Sequence, residues 1–107
     1  MELQEWIDGK LTKKEHGYYI EGEDECVLYH HEEDGIKKSI ELLCKEYKFE
    51  SVLELGFGMG WTATEFQKQG IKRHVIIEPN KGIYESALEW NKNHNAEILN
   101  MFSWDYE

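Results

Sequence analysis

Val52-Leu53-Glu54-Leu55-Gly56-Phe57-Gly58-Met59-Gly60 is the stretch whose reading decides the fold. A short apolar run ends in three glycines at alternate positions, and a helical pattern opens at Trp61. Glycine there lets the chain turn sharply, lets a ligand approach the backbone without meeting a Cβ, and leaves helix N-terminal amides facing the crevice. Dinucleotide folds use G-x-G-x-x-G; here the third glycine comes one residue early and Trp61 takes the dinucleotide position. The segment therefore reads as a strand, glycine turn and helix of the nucleotide-binding type.

Working outward toward the C-terminus, short apolar strands alternate with helices. The pattern predicts a strand over 51–55, a helix over 61–69 ended by Gly70, and a strand over 74–78 stopped by Pro79. A second helix runs from 81 to 93 with Ile83, Ala87, Leu88 and Trp90 on or near its buried side, and a third strand spans 96–99. This β-α-β-α-β order is half of a doubly wound parallel sheet, giving an α/β fold. Glu78 closes the second strand 22 residues after Gly56, where a carboxylate can accept hydrogen bonds from both ribose hydroxyls of a nucleoside. Glu54 lies inside an apolar strand and must be paired or hydrogen-bonded; it either contacts a cationic ligand group or anchors the glycine loop.

Toward the N-terminus, residues 1–48 read as an extension of hairpins and one helix, and 49–107 as the cofactor-binding unit. Asp8-Gly9 is a type I′ turn signal between 3–7 and 10–12, while 18–20 and 26–30 flank an acidic loop, 21–25, containing Gly22. Asp34 is the expected cap of a helix in which Ile36, Ile40, Leu43, Cys44 and Tyr47 make one apolar face.

The chain has 107 residues, 22 Asp plus Glu against 12 Lys plus Arg, and a net charge of −10. That balance opposes nonspecific binding to nucleic acid or to an anionic membrane, because phosphate groups reward clustered Lys and Arg. Fourteen aromatic residues argue against a disordered acidic tail. No apolar run approaches the roughly 20 residues of a membrane span, and the N-terminus lacks signal-peptide features, so a cytoplasmic setting is expected. Cys26 and Cys44 read as reduced, small apolar residues. His30-His31 reads as a solvated strand end rather than a metal site, since adjacent side chains on a strand point to opposite faces.

Glu54-Leu55-Gly56-Phe57-Gly58-Met59-Gly60 resembles motif I of class I S-adenosylmethionine-dependent methyltransferases. The G-F-G-M variant, followed by His74-Val75-Ile76-Ile77-Glu78, is similar more narrowly to the guanidinoacetate and arginine N-methyltransferase group. The likeness runs from about Phe49 to Trp104. It implies S-adenosylmethionine as cofactor, with Glu54, Gly56, Phe57, Gly58, Gly60, Glu78, Pro79, Phe102, Ser103 and Trp104 as its binding residues: the glycine loop would hold its amino-acid part, Glu78 its ribose hydroxyls, and Phe102, Ser103 and Trp104 its adenine. It also sets Glu32 and Glu33 against a family segment carrying a substrate-contacting glutamate, although the W-E-x-P pattern of that segment is not preserved here.

The resemblance implies methyl transfer to a small nitrogen nucleophile such as a guanidino compound. It assigns no catalytic residue, because the family's fourth strand, which carries a further carboxylate, has no counterpart before Glu107. The expectation is thus a truncated or split methyltransferase domain, completed by another polypeptide or by a homo-oligomer. The alternative is a non-catalytic S-adenosylmethionine-binding module for oligomerisation or partner binding. The glycine spacing disfavours a nucleotide-dependent oxidoreductase.

Overall fold

The computed structural model describes residues 3–22 and 26–106, with the side chains of all but Leu3, Cys26 and Val27. The elements run α1 (Leu3–Asp8), β1 (Leu11–Lys13), β2 (Gly17–Ile20), β3 (Cys26–Tyr29), α2 (Glu32–Glu46), β4 (Ser51–Leu55), α3 (Trp61–Lys68), β5 (Arg73–Ile77), α4 (Lys81–Trp90) and β6 (Glu97–Leu99). Short 3₁₀ turns follow at Asn91–Asn93 and Ser103–Asp105. The expected α/β architecture is present: an antiparallel sheet in the order β1-β2-β3, then a parallel sheet in the order β4-β5-β6.

Two N-terminal expectations are corrected. Residues 3–7 form helix rather than strand, so Asp8-Gly9 ends α1 and leads into β1 instead of closing a hairpin. Asp34 does not cap α2. That helix begins three residues earlier, with His31 at its N-cap, and Glu32, Glu33 and Asp34 fill its first turn, where carboxylates favour the positive end of the helix dipole. Residues 23–25 of the acidic loop and the side chain of Cys26 lie outside the described residues; Cys44 is a free thiol.

The parallel sheet carries the core. Ile76 and Ile98 alternate onto the face covered by α3 and α4, where they meet Phe57, Ala63, Ile83, Ala87 and Trp90. Burial of a side chain the size of Ile76 or Ile83 contributes about 1.5–3 kcal/mol each. Leu88, one helical step from Ala87, points away from this face and is exposed, against expectation. Gly70, at φ +81°, ends α3 in the left-handed region. On the opposite face Val75 and Ile77 of the central strand are buried, whereas Leu53 and Leu55 on edge strand β4 are 50% and 66% exposed.

Asn80 ties the N-terminal segment to this half. Its Oδ1 accepts the Ile83 N–H at 2.9 Å and caps α4, while its Nδ2 donates to the carbonyls of Trp6 at 2.5 Å and Gly9 at 2.9 Å. With no exposed surface at all, Asn80 has its side-chain hydrogen-bonding capacity satisfied by backbone.

Candidate cofactor site

In a parallel sheet, ligands collect at the carboxyl ends of the strands. Here the β4-to-α3 turn and the β5-to-α4 turn meet across the Glu78 side chain. Glu78 Oε1 accepts the N–H of Phe57 at 2.8 Å and Oε2 accepts the N–H of Asn80 at 3.0 Å. The carboxylate is almost wholly buried, and two charge-assisted bonds to backbone offset its desolvation. A carboxylate has about four acceptor sites, so two remain for a ligand. Gly56 N–H bonds the carbonyl of Ile77 at 2.7 Å, continuing the ladder to the point where the loop departs.

A cleft of about 240 Å³ opens beside this carboxylate, with Trp6, Leu55, Gly56, Ile77, Glu78, Pro79, Phe102 and Ser103 around it. Gly56 has φ +98°, and a Cβ there would lie 4.0 Å from Glu78 Oε1, in the space through which a ligand reaches the acid. Of the residues expected at the site, Gly56, Glu78, Pro79, Phe102 and Ser103 line this one cleft. Trp104 stacks on Phe102 with ring centroids 4.4 Å apart and a 7° tilt, extending the aromatic surface outward.

The remaining expected residues stand around the cleft. The Phe57 ring turns into the core against Trp90, at 5.4 Å between centroids, and only its N–H serves the site. Gly60, at φ +79°, leaves room for that ring: a Cβ would come within 2.7 Å of Phe57 Cζ. Gly58 faces Leu28 of β3. Glu54 is buried and paired with Nε2 of His74, whose Nδ1 lies 2.8 Å from Nε2 of Gln67. With Gln67 donating, His74 carries its proton on Nε2 and gives it to Glu54, so this carboxylate braces β4 against β5. Glu32 and Glu33 lie in the first turn of α2 and do not line the cleft; Glu33 pairs with Lys37 at 2.5 Å.

Three contributors were not expected from the sequence. Trp6 reaches the cleft because Asn80 holds its carbonyl, and Asn100 Nδ2 donates to the carbonyls of Glu78 at 2.9 Å and Pro79 at 3.1 Å. Asn80 alone had a readable signal, an amide residue directly before a helical run. His30 engages the Lys14 carbonyl at 3.0 Å and His31 packs on Tyr29. Among the described residues, no three His, Cys, Asp or Glu side chains cluster closely enough to hold a metal ion. No helix among them is long and apolar enough to cross a membrane.

Among known protein families, the family model described as guanidinoacetate N-methyltransferase matches residues 24–105. The match takes in the glycine loop, Glu78 and the Phe102–Ser103 side of the cleft, but not the segment that carries Trp6.

Proposed function

We infer that this chain, which belongs to the guanidinoacetate N-methyltransferase family, binds S-adenosylmethionine in the cleft beside Glu78 and serves methyl transfer to a small guanidino nitrogen. The observation that carries this reading is the convergence of Gly56, Glu78, Phe102 and Trp6 on one cleft at the carboxyl ends of β4 and β5. The residues suit the cofactor: a buried carboxylate with free acceptor sites for two ribose hydroxyls, a lane over Gly56, and aromatic walls for an adenine ring. The cleft is smaller than the roughly 300–1,000 Å³ of sites that enclose a whole ligand, so it suits the nucleoside part.

S-adenosylmethionine, when bound, supplies an electrophilic sulfonium methyl. The part of this chain is to hold the nucleoside: Glu78 orients the ribose, Trp6 and Phe102 exclude water from the base, and the Phe57 N–H fixes the carboxylate in place. Such positioning supplies much of the rate in group transfer. Glu32 and Glu33 remain in the proposal as carboxylates for a cationic acceptor, and a cytoplasmic setting belongs to it too. The test is transfer of labelled methyl from S-adenosylmethionine to guanidinoacetate; the reading expects product that is lost in Glu78→Ala.

A second reading is favoured by Leu53 and Leu55, which leave one face of a parallel sheet open at its edge. Parallel sheets are normally covered on both faces. In this reading the chain binds cofactor but turns over only with a second copy or a complementing polypeptide. Light scattering of the purified chain separates the two: a monodisperse monomer with turnover excludes the second reading, and an oligomer, or activity gained on adding another chain, supports it.

A further inference from the structure

A second cavity, of about 340 Å³, lies between β1 and the first turns of α4. It is lined by Lys10, Leu11, Lys13, Tyr18, Met59, Gly82, Ile83 and Ser86. None of these lines the cleft beside Glu78. Leu11 and Lys13 project from the same face of β1, and Lys13 stands opposite Tyr18 in the β1–β2 register, so the strand geometry aims these groups together.

The cations in this region divide into two sets. Lys81 is held by Asp8 at 2.8 Å, and the Asp8 carboxyl is kept below its ordinary range first by the Gln4 amide and then by Lys81. Lys14 lies over the Tyr19 ring at 4.6 Å. Lys10 and Lys13, by contrast, have no carboxylate within 4.0 Å among the described residues. Two lysines thus line one cavity with no carboxylate paired to them among the described residues, in a chain whose net charge is −10. The Ser86 hydroxyl donates to the Gly82 carbonyl at 3.2 Å, which leaves its oxygen free to accept. The rest of the wall, Leu11, Met59 and Ile83, is apolar.

We propose that this cavity is a second small-molecule site, which takes an organic carboxylate with a short apolar body. The ammonium groups of Lys10 and Lys13 meet the carboxylate, and Leu11, Met59 and Ile83 take the hydrocarbon. Met59 sits between Gly58 and Gly60 in the glycine loop, so an occupant touches the loop that the Phe57–Glu78 bond holds over the cofactor cleft. Any effect of an occupant on cofactor affinity must be matched by an equal effect of cofactor on the occupant.

The test follows the Met59 methyl resonance of the full chain while sodium butyrate is added at constant ionic strength. Butyramide, the uncharged analogue, and inorganic phosphate, an anion without a hydrocarbon body, are run beside it. The expected result is a saturable shift with butyrate in the millimolar range, at least tenfold weaker in a Lys10→Ala/Lys13→Ala variant. A Lys38→Ala/Lys45→Ala variant, which removes the same charge from α2, keeps the wild-type response. Three results overturn the proposal: an unchanged butyrate response in the Lys10/Lys13 variant, an equal loss in the Lys38/Lys45 variant, or a response to butyramide or phosphate as strong as that to butyrate.

Discussion

The Glu78 carboxylate accepts the backbone N–H of Phe57 at 2.8 Å, joining the end of β5 to the glycine loop that follows β4. One side chain thus shapes the loop and faces the cleft, and its removal affects both. Glu78→Ala should weaken S-adenosylhomocysteine binding by roughly 1–3 kcal/mol, about 5- to 150-fold in Kd, because hydrogen bonds to a charged group are lost. It should also lower the midpoint of urea unfolding, since the Phe57 and Asn80 N–H groups lose their acceptor. Calorimetry and urea titration of the same preparation read both effects.

Asn80 predicts a separation of stability from binding. Asn80→Asp keeps an oxygen to cap α4 but has no N–H for the carbonyls of Trp6 and Gly9. The helix should persist by circular dichroism while S-adenosylhomocysteine affinity falls, because Trp6 is no longer held at the cleft. Asn80→Ala removes the cap, at about 1 kcal/mol, together with both N–H donors. Equal cofactor affinity in wild type and Asn80→Asp would take Trp6 out of the site.

The buried Glu54–His74 pair should behave as a structural brace. His74→Leu leaves the Glu54 carboxylate buried without its donor and should cost more than about 2 kcal/mol in urea unfolding. Adding Glu54→Met should recover much of that loss, since replacing both partners by apolar groups of similar size is often nearly neutral. A double variant no more stable than His74→Leu alone would contradict this account of the pair.

Two glycines with similar backbone angles should differ in their response to alanine. Gly60 and Gly70 have φ of +79° and +81°. Both substitutions incur the left-handed penalty of about 1–2 kcal/mol. Only at Gly60 does the new Cβ meet the buried Phe57 ring, whereas nothing lies within 4 Å at Gly70. Gly60→Ala should therefore be clearly the less stable of the two by thermal unfolding.

What could be read from the sequence follows the range of the interactions. The parallel half was legible to within a residue or so at most boundaries, since glycine and proline bracket its apolar runs. Of the residues lining the cleft, Gly56 and Glu78 were legible through the glycine turn and the strand order, whereas Pro79, Phe102 and Ser103 came only with the family resemblance. Helix α1 was not legible. Leu3, Trp6 and Ile7 fit helical spacing as well as the hairpin arm assigned to them, and six residues are too few to hold a helix unaided. What holds it includes Asn80, 74 residues from Trp6, a contact no local pattern reports. The role of Glu54 was left open for a similar reason. Its partner becomes visible only in the parallel register that sets Val52 beside His74 and so puts His74 two positions along the same face from Glu54.

The claim that the cleft beside Glu78 is a nucleoside-cofactor site is tested most directly by calorimetric titration of the full wild-type chain with S-adenosylhomocysteine. The account predicts saturable binding at one site per chain, with a Kd below millimolar, from a sample shown to be folded by circular dichroism. Absence of binding at millimolar ligand, in a folded sample, would contradict it.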